Sequence, residues 1–298
     1  MLRRLSGAGP TRPITFLALT FGFSWGGWAI ALALGGDIAE PLVYLLYTVA
    51  ACGPTLVAWL LALAGRPGTR QAGLAAVVRW LPAALLVGLA PSVGAAALAP
   101  LFGGPVLDLG QFAGHAADAG GWLPYVGLAL VTGPLSEEFG WRGYLQPLLR
   151  RTMSPRRAPL VIGPIWGLWH LPLFFLVGTS QHAMGLLTAQ GLGFFVVMVL
   201  QSVGLLSVSE RLRGGVPAAV LLHLVLNMSI VLVPLGSLAV ALVYLGIHAL
   251  VALLLLRFAL PGAERRKSSQ AAGHRWRKPR RTRATARRQD HTAEQQPA

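Results

Sequence analysis

The sequence predicts an all-α fold, a polytopic membrane bundle of about eight transmembrane helices. Three observations lead there. The 298 residues are 54% hydrophobic and only 12% charged, with a mean hydropathy of +0.60, far from the values of a soluble globular domain. Several apolar runs reach the roughly 20 residues that a helix needs to cross a hydrocarbon core of about 30 Å. No run shows the strand-period alternation of a barrel, and helices satisfy their own backbone groups where water is absent.

Taken in order, the first span is expected at 14–35. It follows the basic segment MLRRLSGAGPTRP, and no small-residue cleavage site follows it, so it reads as a retained span rather than a removed leader. The second, 41–64, carries TVAACGPTLVA. Cys52 is the chain's single cysteine, which excludes an internal disulfide and a multi-cysteine metal cluster and leaves packing as its role. The third runs over 79–100. The fourth, 121–140, holds LSEEFG, with Pro134 inside it and Pro147 just beyond as sites of bending or interruption. Spans at 158–178, 188–209, 216–234 and 236–258 complete the set.

Loop charge sets the orientation. Arg3, Arg4 and Arg12 precede span one; Arg66, Arg70 and Arg79 separate spans two and three; Arg150, Arg151, Arg156 and Arg157 follow span four; Arg211 and Arg213 follow span six. The opposite loops carry Asp37, Glu40, Asp108 and Asp118. The positive-inside rule puts both termini in the cytoplasm, as eight crossings also require. Arginine outnumbers lysine 23 to 2, which together with abundant Ala and Gly suggests a GC-rich bacterial genome and hence the bacterial plasma membrane.

The chain thus divides into a basic cytoplasmic N-terminus (1–13), a transmembrane domain (14–260) and an arginine-rich tail (261–298) read as disordered and cytoplasmic. The tail supplies much of the formal charge of +15. Anionic lipid headgroups are its expected partner. No nucleic-acid-binding module accompanies it, so specific nucleic-acid binding is not expected.

The chemistry concentrates in three polar clusters placed inside apolar spans. Glu137, Glu138 and Arg142 lie on the fourth, Trp166 and His170 on the fifth, His223 and Asn227 on the seventh. Glu137 is 13 residues from Arg150, His170 is 13 from Arg157, and His223 is 10 from Arg213. At about 1.5 Å per residue the depths are about 20, 20 and 15 Å from the cytoplasmic side, so three helices place polar groups near one level.

Glu138 and Arg142, four residues apart, share a helix face and can pair, which lowers the cost of burying both. Glu137 points about 100° away and faces something else. His223 and Asn227, also four apart, project together. Each feature alone has a structural explanation: an ion pair locking helices, a hydrogen-bonded core histidine, or interhelical polar contacts. At matching depth they read as one site. His248 has no polar neighbour at helical spacing except Tyr244 and is assigned to packing, while His115 and His182 fall in external loops.

A glutamate and two histidines beside a buried water can remove its proton and aim it at a peptide carbonyl, with an Asn or His donor for the oxyanion. The same groups can ligate a divalent metal. Both schemes give hydrolysis, and the sequence leaves the choice open.

The three motifs resemble those of the CPBP family of intramembrane proteases, the CAAX-protease and bacteriocin-processing or ABI family, whose pattern is EExxxR, FxxxH and HxxxN or HxxxD on successive membrane helices. EEFGWR (Glu137 to Arg142) matches the first and HLVLN (His223 to Asn227) the third. WGLWH has Trp166 where phenylalanine is usual. The resemblance covers about 120–230, and CGPTLVA at Cys52 to Ala58 is similar to a common upstream segment.

It implies an endopeptidase in which Glu137 activates water with help from His170, Glu138 and Arg142 fix the geometry, and His223 and Asn227 bind the oxyanion. In the metalloprotease description Glu137, His170 and His223 hold a divalent metal such as Zn2+, while a metal-free scheme stands equally. The implied partner is a peptide presented from the cytoplasmic side. HExxH, GxGD and GxSG motifs are absent. A non-catalytic membrane immunity or binding protein on the same fold is the alternative, and a proton-coupled transporter is disfavoured by the lack of an internal repeat.

Overall fold

The computed structural model describes residues 11–64, 74–211, 213–234 and 236–260. The arginine-rich tail and most of the basic N-terminus lie outside the described residues. Helices account for almost all regular structure there, and no strand occurs among the described residues; the single β-bridge pairs Asp37 with Val177.

Helix α1 (Thr11–Ala33) is followed by α2 (Pro41–Ala51) and α3 (Gly53–Leu63), which pass for one span bent by 49° at Cys52. Pro54 is the cause. It has no N–H for the Ala50 carbonyl and its ring crowds that carbonyl. The Ser24 hydroxyl of α1 donates to the Ala50 oxygen instead, at 2.8 Å. Helix α4 (Leu74–Leu98) contains Pro82 and Pro91 and tightens into a 3-10 turn, Ala99–Phe102.

A short helix in the following loop, α5 (Gly110–Asp118), leaves no signal in hydropathy. The fourth expected span extends beyond 140 to Leu149 and is helical in five pieces. These are α6 (Trp122–Leu130), a π turn (Val131–Leu135), α7 (Ser136–Gly140), a second π turn (Trp141–Leu145) and α8 (Gln146–Leu149). Pro134 sits inside the first π turn and Pro147 directly after the second, where a wider turn makes room for a ring that cannot continue the i→i−4 ladder.

The remaining spans are α9 (Arg157–Trp169) with its 3-10 extension Leu171–Phe175, α11 (Ala189–Leu206), α12 (Gly215–Ser229) and α13 (Leu238–Leu254), with the five-residue α10 (Ser180–Met184) between α9 and α11. Side chains cap three of these helices: Thr179 accepts from His182 N, Thr188 from Gly191 N and Ser237 from Val240 N. Among the described residues six helices are long and apolar enough to cross a membrane and the bent α2–α3 pair makes a seventh, roughly the number expected from sequence; the interrupted run from Trp122 to Leu149 stands where the fourth span is expected.

The bundle buries charged and polar groups within its apolar core and turns large apolar side chains outward. Leu63, Leu123 and Leu86 are 88%, 86% and 71% exposed, whereas Glu138, Arg142 and His223 are 0%, 3% and 3% exposed. Ser24, Gln201 and His248 are buried with them. That inversion suits a lipid surround, and the protein is a multi-pass membrane protein. Around the polar centre Trp28, Trp141, Trp166 and Trp169 are fully buried. Toward the arginine-rich ends, Arg150 clamps Glu210 from Nε at 2.8 and 2.7 Å and from Nη2 at 2.7 Å, tying the end of α8 to the end of the α11 span.

Candidate active site

Three helical segments build the site. Residues of α7 and the second π turn supply Glu137, Glu138 and Arg142; the end of α9 supplies Trp166 and His170; α12 supplies His223 and Asn227.

Close backbone approach sets α7 in place. Thr55 Oγ1 donates to the Leu135 carbonyl at 2.9 Å, and Ser136 Oγ donates to the Gly133 carbonyl at 2.8 Å. Gly140 lies so near α3 that a Cβ built on it would stand 2.5 Å from the Pro54 carbonyl carbon. The upstream CGPT segment is therefore a direct support of the EEFGWR motif.

Glu138 is the polar anchor. Its Oε1 accepts from Arg142 Nη1 at 2.9 Å and from His223 Nδ1 at 2.8 Å, joining α7 to α12. All three side chains are buried, and removing one partner from such a cluster leaves an uncompensated charge, at a cost of about 3–5 kcal/mol. Glu138 Oε2 and Arg142 Nε and Nη2 are buried with no protein partner among the described residues, so the cluster retains capacity to bind water.

Glu137 faces the other way, as its position in the helix requires, and meets α9. Its Oε2 accepts from the Trp166 indole N–H at 2.5 Å. The Arg142 guanidinium carbon lies 4.5 Å from the centre of the Trp166 ring, a cation–π contact. Edge-on contacts link the same indole to His170 and His223, with ring centroids at 5.9 and 5.3 Å. Glu137, Arg142, His170 and His223 thus meet at one aromatic side chain.

Both imidazoles have their tautomers set by their partners. His170 Nδ1 lies 2.8 Å from the Trp166 carbonyl, which can only accept, so Nδ1 carries the proton and Nε2 holds the lone pair in the neutral ring. His223 likewise gives Nδ1–H to Glu138 and turns Nε2 inward. Asn227 lies one turn beyond His223 and is exposed. Its Nδ2 and His223 Nε2 stand 2.8 and 3.6 Å from the point where a Cβ on Gly133 would sit, so both converge on the backbone just ahead of the glutamates.

Asn227 also opens onto a cavity of about 220 Å³ between α11, α12 and α13, walled by Phe194, Val197, Leu226, Ile230 and Tyr244. The other histidines among the described residues lie apart from the site. His248 is buried edge-on against Tyr244 at 4.6 Å, His115 stacks on Tyr125 at 6.2 Å, and His182 Nδ1 donates to the Phe174 carbonyl at 3.1 Å.

Comparison with known proteins bears on the same residues. Residues 119–260 match the model of the Rce1-like family, type II CAAX prenyl endopeptidase. The chain is also 27% identical over 150 residues to CAAX prenyl protease 2 of Methanococcus maripaludis, covering 50% of this chain and 52% of that protein. The motif-bearing part of the chain is thus similar to CAAX prenyl endopeptidases. The chain spans about half the length of the curated relative it matches. Every CPBP motif falls inside the matched region, whereas Pro54, which supports the first motif from α3, lies upstream of it.

The CPBP resemblance also raises a metal on Glu137, His170 and His223. Among the described residues no three His, Cys, Asp or Glu side chains are grouped so as to hold an ion. Glu137 is turned onto the Trp166 N–H, whose ring stands against both imidazoles. The ligand set does not fit as arranged.

The contacts of three residues escape sequence reasoning. Trp166 reads as an aromatic packing residue, although its N–H is an obvious donor in an apolar helix. Gly133 and Gly140 flank the glutamates in TGPLSEEFG, where small residues signal close approach of another element.

Proposed function

We propose that this protein is an intramembrane endopeptidase that hydrolyses a peptide bond with a water activated by Glu137. The observation that carries the reading is the buried junction in which Glu138 holds both Arg142 and His223 while the adjacent Glu137 accepts from Trp166, whose ring touches His170 and His223.

In the reaction the Glu137 carboxylate takes a proton from water as the water oxygen bonds to the scissile carbonyl carbon. His170, its Nε2 lone pair directed away from the Trp166 carbonyl, orients that water. The carbonyl oxygen becomes an oxyanion beside the Asn227 amide and His223 Nε2, which donates when the ring holds both protons next to Glu138. Collapse breaks the C–N bond, and the proton held by Glu137 passes to the departing nitrogen. The products are a new carboxylate and a new amine.

The substrate enters from the cytoplasmic side and lays an apolar part in the cavity beside Asn227. Both termini face the cytoplasm of a bacterial cell, and the arginine-rich tail lies against anionic lipid. The arginine bias of the loops supports this orientation.

The test uses the full chain in lipid nanodiscs with an internally quenched, prenylated CAAX peptide, alongside its unprenylated form. Asn227→Ala should lower kcat about 100- to 1,000-fold with the fold retained, as expected for loss of an oxyanion donor. An unchanged kcat contradicts the assignment. Cleavage absent from the wild type together with retained peptide binding would support a non-catalytic binding protein instead.

A second expectation concerns Gly133→Ala. The new methyl would meet Asn227 Nδ2 at 2.8 Å, the tip of a side chain that can swing away. Thermal stability should change little, while kcat falls about 10- to 100-fold from misplacement of Asn227. Equal activity in the two proteins would place Asn227 outside the reaction.

A further inference from the structure

Trp166 occupies a position where the CPBP pattern has phenylalanine, and its indole makes a contact that a phenyl ring cannot. We infer that Trp166 is a positioning residue: its N–H fixes the Glu137 carboxylate in the direction from which it takes the proton of water. The inference rests on the proposed hydrolysis and adds to it a hydrogen bond that the phenylalanine of the family pattern cannot make.

Four observations carry it. The side chain is 1% exposed, so its N–H needs a partner and water cannot freely provide one. That partner is Glu137 Oε2, at 2.5 Å. The face of the ring is covered by the Arg142 guanidinium at 4.5 Å and its surroundings by the edges or faces of His170 and His223, so the indole has little room to rotate. The Trp166 carbonyl, finally, receives His170 Nδ1 at 2.8 Å, so the same residue orients the base and the imidazole beside it.

The chemical consequence is directional. A carboxylate has two oxygens, and the indole occupies one of them, leaving Oε1 as the oxygen offered to water. A phenylalanine would keep the ring in the core and the cation–π contact, yet leave both oxygens to reorient. Positioning of this kind is worth about 10- to 100-fold in rate when lost.

Two replacements separate the N–H from the bulk of the ring. Trp166→Phe removes both the N–H and some volume. Incorporation of β-(3-benzothienyl)alanine at position 166 replaces N–H by sulfur in a ring of nearly the same shape. With the prenylated quenched peptide as probe, both should lower kcat about 10- to 100-fold while KM stays within about twofold. Full kcat in the benzothienyl protein, with loss only in Trp166→Phe, would mean that packing alone matters and would overturn the inference.

A measurement independent of turnover keeps the two readings apart. The hydrogen-bond-sensitive indole band in ultraviolet resonance Raman spectra reports the N–H state of the nine tryptophans, and subtraction of the Trp166→Phe spectrum isolates Trp166. Its band should move toward the unbonded form in Glu137→Ala. An unmoved band overturns the inference whether or not the wild type cleaves the peptide, whereas a shifted band with no cleavage by the wild type overturns the proposed hydrolysis and, with it, the positioning role.

Discussion

Gly140→Ala should lower the thermal unfolding temperature by roughly 6–12 °C, corresponding to about 3 kcal/mol, and abolish activity. The added Cβ would collide with the Pro54 oxygen and stand 2.5 and 2.6 Å from its carbonyl carbon and Cβ. None of these is the free end of a flexible side chain. Helix α3 cannot simply retreat, because Thr55 is bonded to the Leu135 carbonyl and the bend at Cys52 is itself held by Ser24. Relief must come from α7, and any shift of α7 moves Glu137 and Glu138. Gly127→Ala, on α6 of the same interrupted span, is the control: nothing lies within 4 Å of its Cβ, and no loss of stability is expected. Equal unfolding temperatures for Gly140→Ala and Gly127→Ala would show that the α3–α7 approach is looser than described.

Much of this arrangement was legible in the sequence because hydropathy and helical spacing act locally. The apolar runs locate most of the spans to within a few residues. Four-residue spacing gives the Glu138–Arg142 pair, observed at 2.9 Å. The same spacing puts His223 and Asn227 on one face, and Pro134 marks where the fourth span is interrupted.

What escapes is tertiary. Nothing local says that His223 reaches Glu138 rather than Glu137, since both carboxylates lie at the same depth and only the phase set by the π turns decides between them. The partner of Gly140 is on α3, 86 residues earlier, at Pro54. Trp166 looks like any other aromatic residue in an apolar helix, because the acceptor of its N–H is on another span. Nor can composition anticipate that Glu137 is turned onto that indole instead of toward a ligand cluster with the two histidines.

Glu137→Gln should reduce peptide hydrolysis by about 1,000-fold or more, within the range that general acid–base catalysis supplies. The substitution is close to isosteric. Its side-chain oxygen can still accept the Trp166 N–H, and the Glu138–Arg142–His223 junction is untouched, so the fold should survive. What is lost, in the proposed reaction, is the group that takes the proton from water and returns it to the leaving nitrogen. A large loss of rate at unchanged unfolding temperature therefore separates chemistry from structure.

The most direct test compares new peptide termini in membrane fractions of cells producing either the wild type or Glu137→Gln at equal levels of folded protein. It requires no substrate to be chosen in advance. If Glu137 activates the water, a defined set of newly cut membrane proteins will accumulate with the wild type and be missing with the variant. Identical termini in the two samples, with both proteins folded and inserted, would contradict the account.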